Sequence, residues 1–332
     1  MNSGNTRAGR VDGVVVQSSE VPSSRIRAIF SRVVLHWGFI VRILEASASQ
    51  LALPIPPPTT VVGALSYSLF KALGLGDLTK PSTERKSSGM TFSTHFDCAL
   101  EATITAAAGI TPSEEPTGIC VHQEPSRLSA APYKTGGSWE DALKSSFGSR
   151  EFYAKFLAEA SPVQAVGAAY GPGTPVDLLW VFDVEQLVKC LKSSMRLDLE
   201  VSVVDNVGKI AAYGAVRLGS KEGIQSVETA IYAREDAIRV LHPGEIAITH
   251  LYTPTDCVEP IEGVSRISMW DLSYKSREYY LPEPASNSLV ISISPERVPA
   301  YRVTSPCSAF SIQIDGGKEI TAVGLKLYER AS

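Results

Sequence analysis

The residues with most to offer chemically lie in one glycine-rich stretch, Gly214-Ala-Val-Arg-Leu-Gly-Ser-Lys-Glu-Gly223. Gly214, Gly219 and Gly223 permit positive φ and close approach of another backbone. Consecutive amide N–H groups in such a loop cradle phosphate oxygens. Arg217 and Lys221 add positive charge, and Ser220 adds a hydroxyl. The order G-x4-G-S-K invites comparison with the nucleotide-binding G-x4-G-K-[ST], but here the Ser precedes the Lys. The stretch also leads into a strand, so no helix N-terminus faces a phosphate. Nucleotide hydrolysis is rejected on both counts. Two readings stay open: a loop that contacts phosphates, or a tight turn whose ends are tied by salt bridges.

The rest of the chain offers little catalytic chemistry. His36, His95, His122, His242 and His250 fall in no metal or hydrolase motif. His36, beside Trp37 in the first strand pattern, is a candidate acid–base group, although a strand histidine is more often packed or at a rim. Glu114-Glu115 and Glu140-Asp141 read as solvated surface. The cysteines, Cys98, Cys120, Cys190, Cys257 and Cys307, are far apart and form no C-x-x-C. That excludes a clustered zinc site, and the expectation is free buried thiols in a reducing cytoplasm. No metal and no cofactor is expected. Trp37, Phe39 and Tyr170 suit either base stacking or a core.

These residues must be positioned by a chain of 332 residues, enough for about two domains or one with a large elaboration. An apolar fraction of 44% with 20% charged residues is that of a globular protein, and excludes collagen, coiled coil, disulfide scaffold and general disorder. The net charge of −4 is wrong for a free-standing duplex binder. Nucleic-acid contact would need a local patch or help from other subunits. No apolar run reaches the ~18–20 residues that span a bilayer, and residues 1–28 lack a signal-peptide core. A soluble cytoplasmic protein with no membrane partner is expected.

Residues 1–28, rich in Ser, Gly and Arg, read as a flexible extension or a basic arm. A strand is predicted over 29–44, with Val33, Leu35, Trp37 and Phe39 on one face. Leu53-Pro-Ile-Pro-Pro-Pro-Thr-Thr60 is stiff and extended. It enters a helix over 61–73 that Thr59 or Thr60 would cap. Val62, Leu65, Leu69 and Leu73 form its inner face, and Gly74 sits at its C-terminal cap. Residues 76–160 read as a long insertion, with strand-like pieces at 90–96 and 99–107 and a helix opening at Ser138. After 163 come a strand, a turn at Tyr170-Gly-Pro-Gly-Thr-Pro175 and a strand over 178–182. Asp183 caps a helix over 184–194, and a strand follows over 224–232. Beyond Ala237 every segment is short and β-like. The pattern is α+β: a ferredoxin-like (RRM-like) core with a long insertion over 29–235 and a C-terminal antiparallel β region over 236–332.

Trp37-Gly-Phe-Ile-Val-Arg42, then Leu53 to Leu65 (LPIPPPTTVVGAL), then Tyr170 to Pro175, then Arg217-Leu-Gly-Ser-Lys-Glu222 resemble, in order, the Cas-five family of CRISPR-associated proteins in its archaeal type I-A form. The resemblance implies a RAMP subunit of the Cascade ribonucleoprotein that serves antiviral defence. Such a subunit holds the 5′ handle of the CRISPR RNA, caps the helical backbone, and touches the Cas-seven backbone subunit and the large subunit. It implies no catalytic residues. The RNA-binding set would be Arg217, Gly219, Ser220, Lys221, Trp37, Arg42 and Tyr170. A thumb-like insertion reaches over the RNA in this family, and 76–137 is the candidate. One alternative is a metal-independent endoribonuclease acting on precursor CRISPR RNA, with His36 and Lys221 as the available pair. Another is a structural bridge with no RNA contact.

Overall fold

The structure, a computed structural model, describes residues 25–41, 49–50, 52–75, 94–128, 163–195, 198–219, 223–261, 263–282 and 289–325. It is α+β, with mostly antiparallel sheets and few helices. In chain order the elements are β1 (Ile26–Leu35), β2 (Gly38–Phe39), β3 (Ser49–Gln50), α1 (Pro58–Ala72), α2 (Thr94–Ala102), β4 (Thr103–Ile110), β5 (Gly118–Leu128), β6 (Val163–Tyr170), β7 (Pro175–Asp183), α3 (Val184–Met195), α4 (Val201–Tyr213) and β8 (Gln225–Ala233). There follow β9 (Ile238–Leu241), β10 (Ile246–Ile248), β11 (Thr253–Pro254), β12 (Val258–Pro260), β13 (Ser265–Trp270), β14 (Ser276–Leu281), β15 (Leu289–Ile291), β16 (Ala300–Val303), β17 (Cys307–Gln313) and β18 (Glu319–Leu325).

The central sheet has the order β4-β7-β1-β8, all antiparallel. Its middle strands are buried on both faces, which is why β7 is a nearly unbroken apolar run with no alternation. Helices cover one face: the Ser31 hydroxyl donates to the Ala212 carbonyl of α4 at 2.6 Å, and Arg27 pairs with Asp205 of the same helix. The C-terminal strands cover the other: the Thr105 hydroxyl donates to the Val323 carbonyl at 2.8 Å, and the Tyr252 amide to the Ala108 carbonyl at 3.0 Å. One apolar cluster therefore runs from Phe30 and Trp180 through to Tyr252, Trp270 and Phe310. A smaller cluster around Tyr301 and Val303 lies within the C-terminal strands. A second sheet, β15-β5-β6-β2, has β3 paired in parallel to β6.

Several local expectations meet the structure directly. The Asp183 carboxylate accepts from the Gln186 amide at 2.9 Å and caps α3. Val62, Leu65 and Leu69 are buried along α1, which ends at Gly74 (φ +69°). Beyond Ala237 the described residues form short strands and single turns. Other expectations are corrected. β1 begins at Ile26, so buried Ile26, Arg27 and Ala28 belong to the sheet and not to a flexible extension. It stops at Leu35, where the chain bends through His36 and Trp37. α1 starts at Pro58, with no side-chain cap at Pro57; a proline at the first helical position needs no amide partner. Thr59 lies inside the helix, and its hydroxyl accepts from the Trp270 indole at 2.8 Å.

The reading of 76–160 as one insertion fails over 94–110. Residues expected as strand at 94–96 and 99–102 are helical, and β4 is an integral, fully buried edge of the central sheet. The excursion from that sheet is instead the connection from β4 to β7, which contains β5 and β6. The helix expected from Ser138 lies outside the described residues. The cysteines are also corrected. Cys98 of α2 is bonded to Cys190 of α3 and Cys257 to Cys307, across 92 and 50 residues of sequence, leaving Cys120 free and exposed. Pairs that distant are made by the fold and leave no mark in spacing. Among the described residues no helix is long and apolar enough to cross a membrane.

Candidate functional site

The Leu35 end of β1 gathers three sequence motifs that lie far apart in the chain. Past the bend at His36 and Trp37, Gly38 pairs with Tyr170 at the end of β6. The turn after Tyr170 is stitched to the same strip. The Gly171 amide donates to the Trp37 carbonyl at 2.8 Å, the Gly173 amide to Leu35 at 2.8 Å, and the Leu35 amide to Thr174 at 3.1 Å. Gly38 adopts φ +152°, and any Cβ there would collide with the Ala169 carbonyl, so only glycine lets the two backbones meet.

The glycine-rich segment closes on the opposite side of the strip. It follows the end of α4 and folds as a narrow hairpin, with Arg217 bridged to Ile224. The Leu218 amide donates to Gly223 at 2.8 Å and the Gln225 amide to Val216 at 3.1 Å. Ala215 and Leu218 are buried anchors, and the Gln225 side chain donates to the Ala215 carbonyl. The His36 amide donates to the Ile224 carbonyl at 3.3 Å, which joins the hairpin to the strip. Gly219 has φ +70°, and a Cβ there would lie 2.7 Å from the Ile40 carbonyl. The close approach predicted for this glycine is therefore to the chain's own backbone. Backbone hydrogen bonds hold the hairpin's ends, and among the described residues no salt bridge does.

This scaffold carries the candidate side chains of all three motifs. The Trp37 and Tyr170 rings are 5.6 Å apart and tilted by 55°. Trp37 is half-buried and Tyr170 is exposed, whereas Phe39 is fully buried and belongs to the core. Arg217 is exposed and, among the described residues, makes no ion pair. His36 is exposed, with Nε2 2.7 Å from the Ser226 hydroxyl. Ser226 was missed in the sequence, where nothing marks one strand serine among others. Arg42, Ser220 and Lys221 lie outside the described residues.

The strongest electrostatic feature lies elsewhere on β1. Arg32 donates to both oxygens of Asp177 at 2.7 and 2.9 Å, and His250 Nε2 lies 2.9 Å from Oδ2 of the same carboxylate. Asp177 is completely buried. Burial alone would raise its pKa, but the hydrogen bonds from His250 and Arg32 hold the carboxyl below the usual carboxylate range. The carboxylate is sealed from solvent behind partly exposed Arg32, and the group ties β1 and β7 to the segment that holds His250. It left no sequence signature, because its three members are scattered along the chain.

No family model matches the chain. A stretch of 54 residues is 43% identical to the CRISPR-associated protein Cas5 3 of Saccharolobus solfataricus; it covers 16% of this chain and 22% of that relative. The chain thus spans about a fifth of the length of the curated relative it matches. Among solved structures it is similar to a CRISPR protein from Archaeoglobus fulgidus, with 16% identity over 90% of this chain and 99% of that one, at a TM-score of 0.47. It is also similar to a chain of the Type III-B Cmr-beta complex bound to cognate target RNA, with 10% identity over 64% and 62% of the two chains and a TM-score of 0.28. The resemblance to the Cas-five family read from the sequence is shown by the matched stretch.

Proposed function

We propose that the chain is a non-catalytic, RNA-binding subunit of a type I-A CRISPR Cascade effector. In this reading it holds the 5′ handle of the CRISPR RNA, caps the backbone, and contacts the Cas-seven backbone subunit and the large subunit. The observation that carries the reading is the convergence of three family-like motifs at the end of β1, where Tyr170 and Arg217 are exposed. Arg217 offers a planar fork for phosphate oxygens. The Trp37 and Tyr170 rings offer faces for unpaired bases. The central sheet supports the ferredoxin-like part of the reading: its first and third strands lie in the middle, the fourth beside the first, and the second at the far edge. The excursion between β4 and β7 takes the place of residues 76–137 as the thumb candidate.

The test is guide-RNA retention in the assembled complex at several salt concentrations. Arg217→Ala with Lys221→Ala should release RNA at lower salt and flatten the salt dependence, since each lost phosphate contact removes counterion release. Unchanged retention and slope would leave the hairpin as scaffold only.

A second reading, a metal-independent endoribonuclease, draws support from one observation: exposed His36 with Nε2 against Ser226. There His36 would take the proton of a 2′-hydroxyl that attacks the adjacent phosphate, the P–O5′ bond would break, and the departing 5′ oxygen would take a proton from water, giving a cyclic phosphate and a free 5′-hydroxyl. Repeat RNA incubated with the purified chain and chelator decides. Discrete cleavage that disappears in His36→Ala supports the nuclease, and intact RNA supports the binding subunit.

A further inference from the structure

The second sheet exposes a row of side chains that runs across its strands toward the site. Register places Leu289 of β15 opposite Cys120 of β5, Cys120 opposite Tyr170 of β6, and Tyr170 opposite Gly38 of β2. Directly opposed residues of an antiparallel sheet project on the same face. Three of its members are open: Leu289 is 39% and Tyr170 37% accessible, and Cys120 is exposed, while Gly38 at the end of the row is buried. The alternate residues Val290, Ile119 and Ala169 are buried in the core below. Ile291, 37% accessible and opposite Gly118, widens the row on one side. At the Gly38 end the row meets Trp37, which leans on Tyr170, and then the hairpin that bears Arg217.

We infer that this row is a nucleobase platform: the RNA strand leaves the Trp37–Tyr170 pair and crosses β6, β5 and β15 with unpaired bases laid on Tyr170, Cys120 and Leu289. The inference rests on the RNA-binding reading above. It assigns to that reading a path and three contact residues, Cys120, Leu289 and Ile291, that the motifs do not contain. Three inter-strand spacings of about 4.8 Å give a row of about 14 Å. Sheet-type RNA modules stack two or three bases on a comparable surface. Charge favours RNA over a protein partner. None of Leu289, Ile291, Cys120, Tyr170, Gly38 and Trp37 carries a carboxylate, in a chain with 35 acidic residues, and the Gly38 end leads through Ile40 to the hairpin that bears Arg217.

The chain carries its own reporter. Four of its five cysteines are in disulfides, so Cys120 is the single free thiol. Its alkylation by iodoacetamide, read by peptide mass spectrometry under non-reducing conditions, is measured in the full chain, in the complex with its guide, and in that complex after ribonuclease digestion. The platform requires that the guide protect Cys120 and that digestion restore its reactivity. Tyr170→Ala should weaken guide binding by about 5- to 150-fold, the factor for one lost base–aromatic stack. Leu289→Asp should weaken it too, with the fold intact by circular dichroism. If guide RNA copurifies and Cys120 reacts at the rate of the free chain, the RNA runs elsewhere: the platform falls and the RNA-binding reading stands. Protection that survives digestion means a protein covers the row, and also overturns the platform. A complex that carries no RNA overturns both.

Discussion

The two ends of β1 use similar residue types to opposite effect. At the Ile26 end the arginines are matched. Arg25 pairs with Asp183 and Glu185. Arg27 donates to both oxygens of Asp205 at 2.8 and 3.2 Å, and the Tyr232 hydroxyl donates to the same carboxylate at 2.6 Å. At the Leu35 end Arg217 has no acidic partner among the described residues, the His36 ring meets a hydroxyl, and exposed Tyr170 sits against half-buried Trp37. An arginine whose hydrogen bonds are filled from within the fold contributes to stability. One left with open donors is available to an external anion. The comparison teaches that arginine content says little about nucleic-acid binding until the internal carboxylates are assigned, and in an acidic chain most of them are.

The largest test of the locked state lies at the centre of the strand. Asp177→Ala removes the carboxylate that Arg32 and buried His250 share. It should cost about 3–5 kcal/mol, as breaking a buried pair does, measured by urea denaturation. The same group gives a pH signature. Its carboxyl is held below the usual range in the fold, so its contribution is present above the unfolded value of about 3.9 and is lost as pH falls through the lower folded value. Wild type should lose stability on acidification below about pH 4 more steeply than Asp177→Ala. Equal slopes would mean that the network is not what holds the strands.

Next in size is Arg27→Ala at the Ile26 end, expected to cost about 2–3 kcal/mol through its charged hydrogen bonds to Asp205. Gly219→Val tests the other end without touching charge. A β-branched residue at φ +70° with the Ile40 carbonyl 2.7 Å from its Cβ should cost about 1–3 kcal/mol, and should loosen the hairpin from residues 40–41. Loss of RNA with no loss of stability would separate the glycine's role from packing.

How much of this was legible follows from what each signal is made of. α1 announced itself because prolines, an apolar stripe and a terminal glycine are all local, and Asp183 read as a cap for the same reason. β4 was read as a strand, from 99–107, but as part of an insertion, because Thr103-Ile-Thr-Ala-Ala-Ala-Gly109 carries no alternation to say which sheet buries it. α4 was missed because Val201-Ser-Val-Val204 looks like a strand. The stripe of Val204, Gly208, Ala211 and Ala212 appears only once burial is known. At the site, Trp37, Tyr170 and Arg217 were legible as residue types in motifs. Their convergence, the contact between His36 and Ser226, and the row ending at Leu289 depend on strand register, which a sequence does not state.

The smallest expected effect decides the comparison. Arg217→Ala alone removes an exposed side chain with no acidic partner among the described residues, so global stability should change by less than about 0.5 kcal/mol, as for ordinary surface positions. Ala215 and Leu218 would still anchor the hairpin, and the Leu218–Gly223 and Gln225–Val216 hydrogen bonds use backbone atoms that the substitution leaves in place. Measured beside Arg27→Ala in the same urea titration, the two arginines should differ severalfold in cost although each loses one guanidinium. If Arg217→Ala instead destabilises the chain as much as Arg27→Ala, its guanidinium is held by the fold. The Leu35 end would then be a second locked end, and the phosphate contact assigned to it would have to come from another residue.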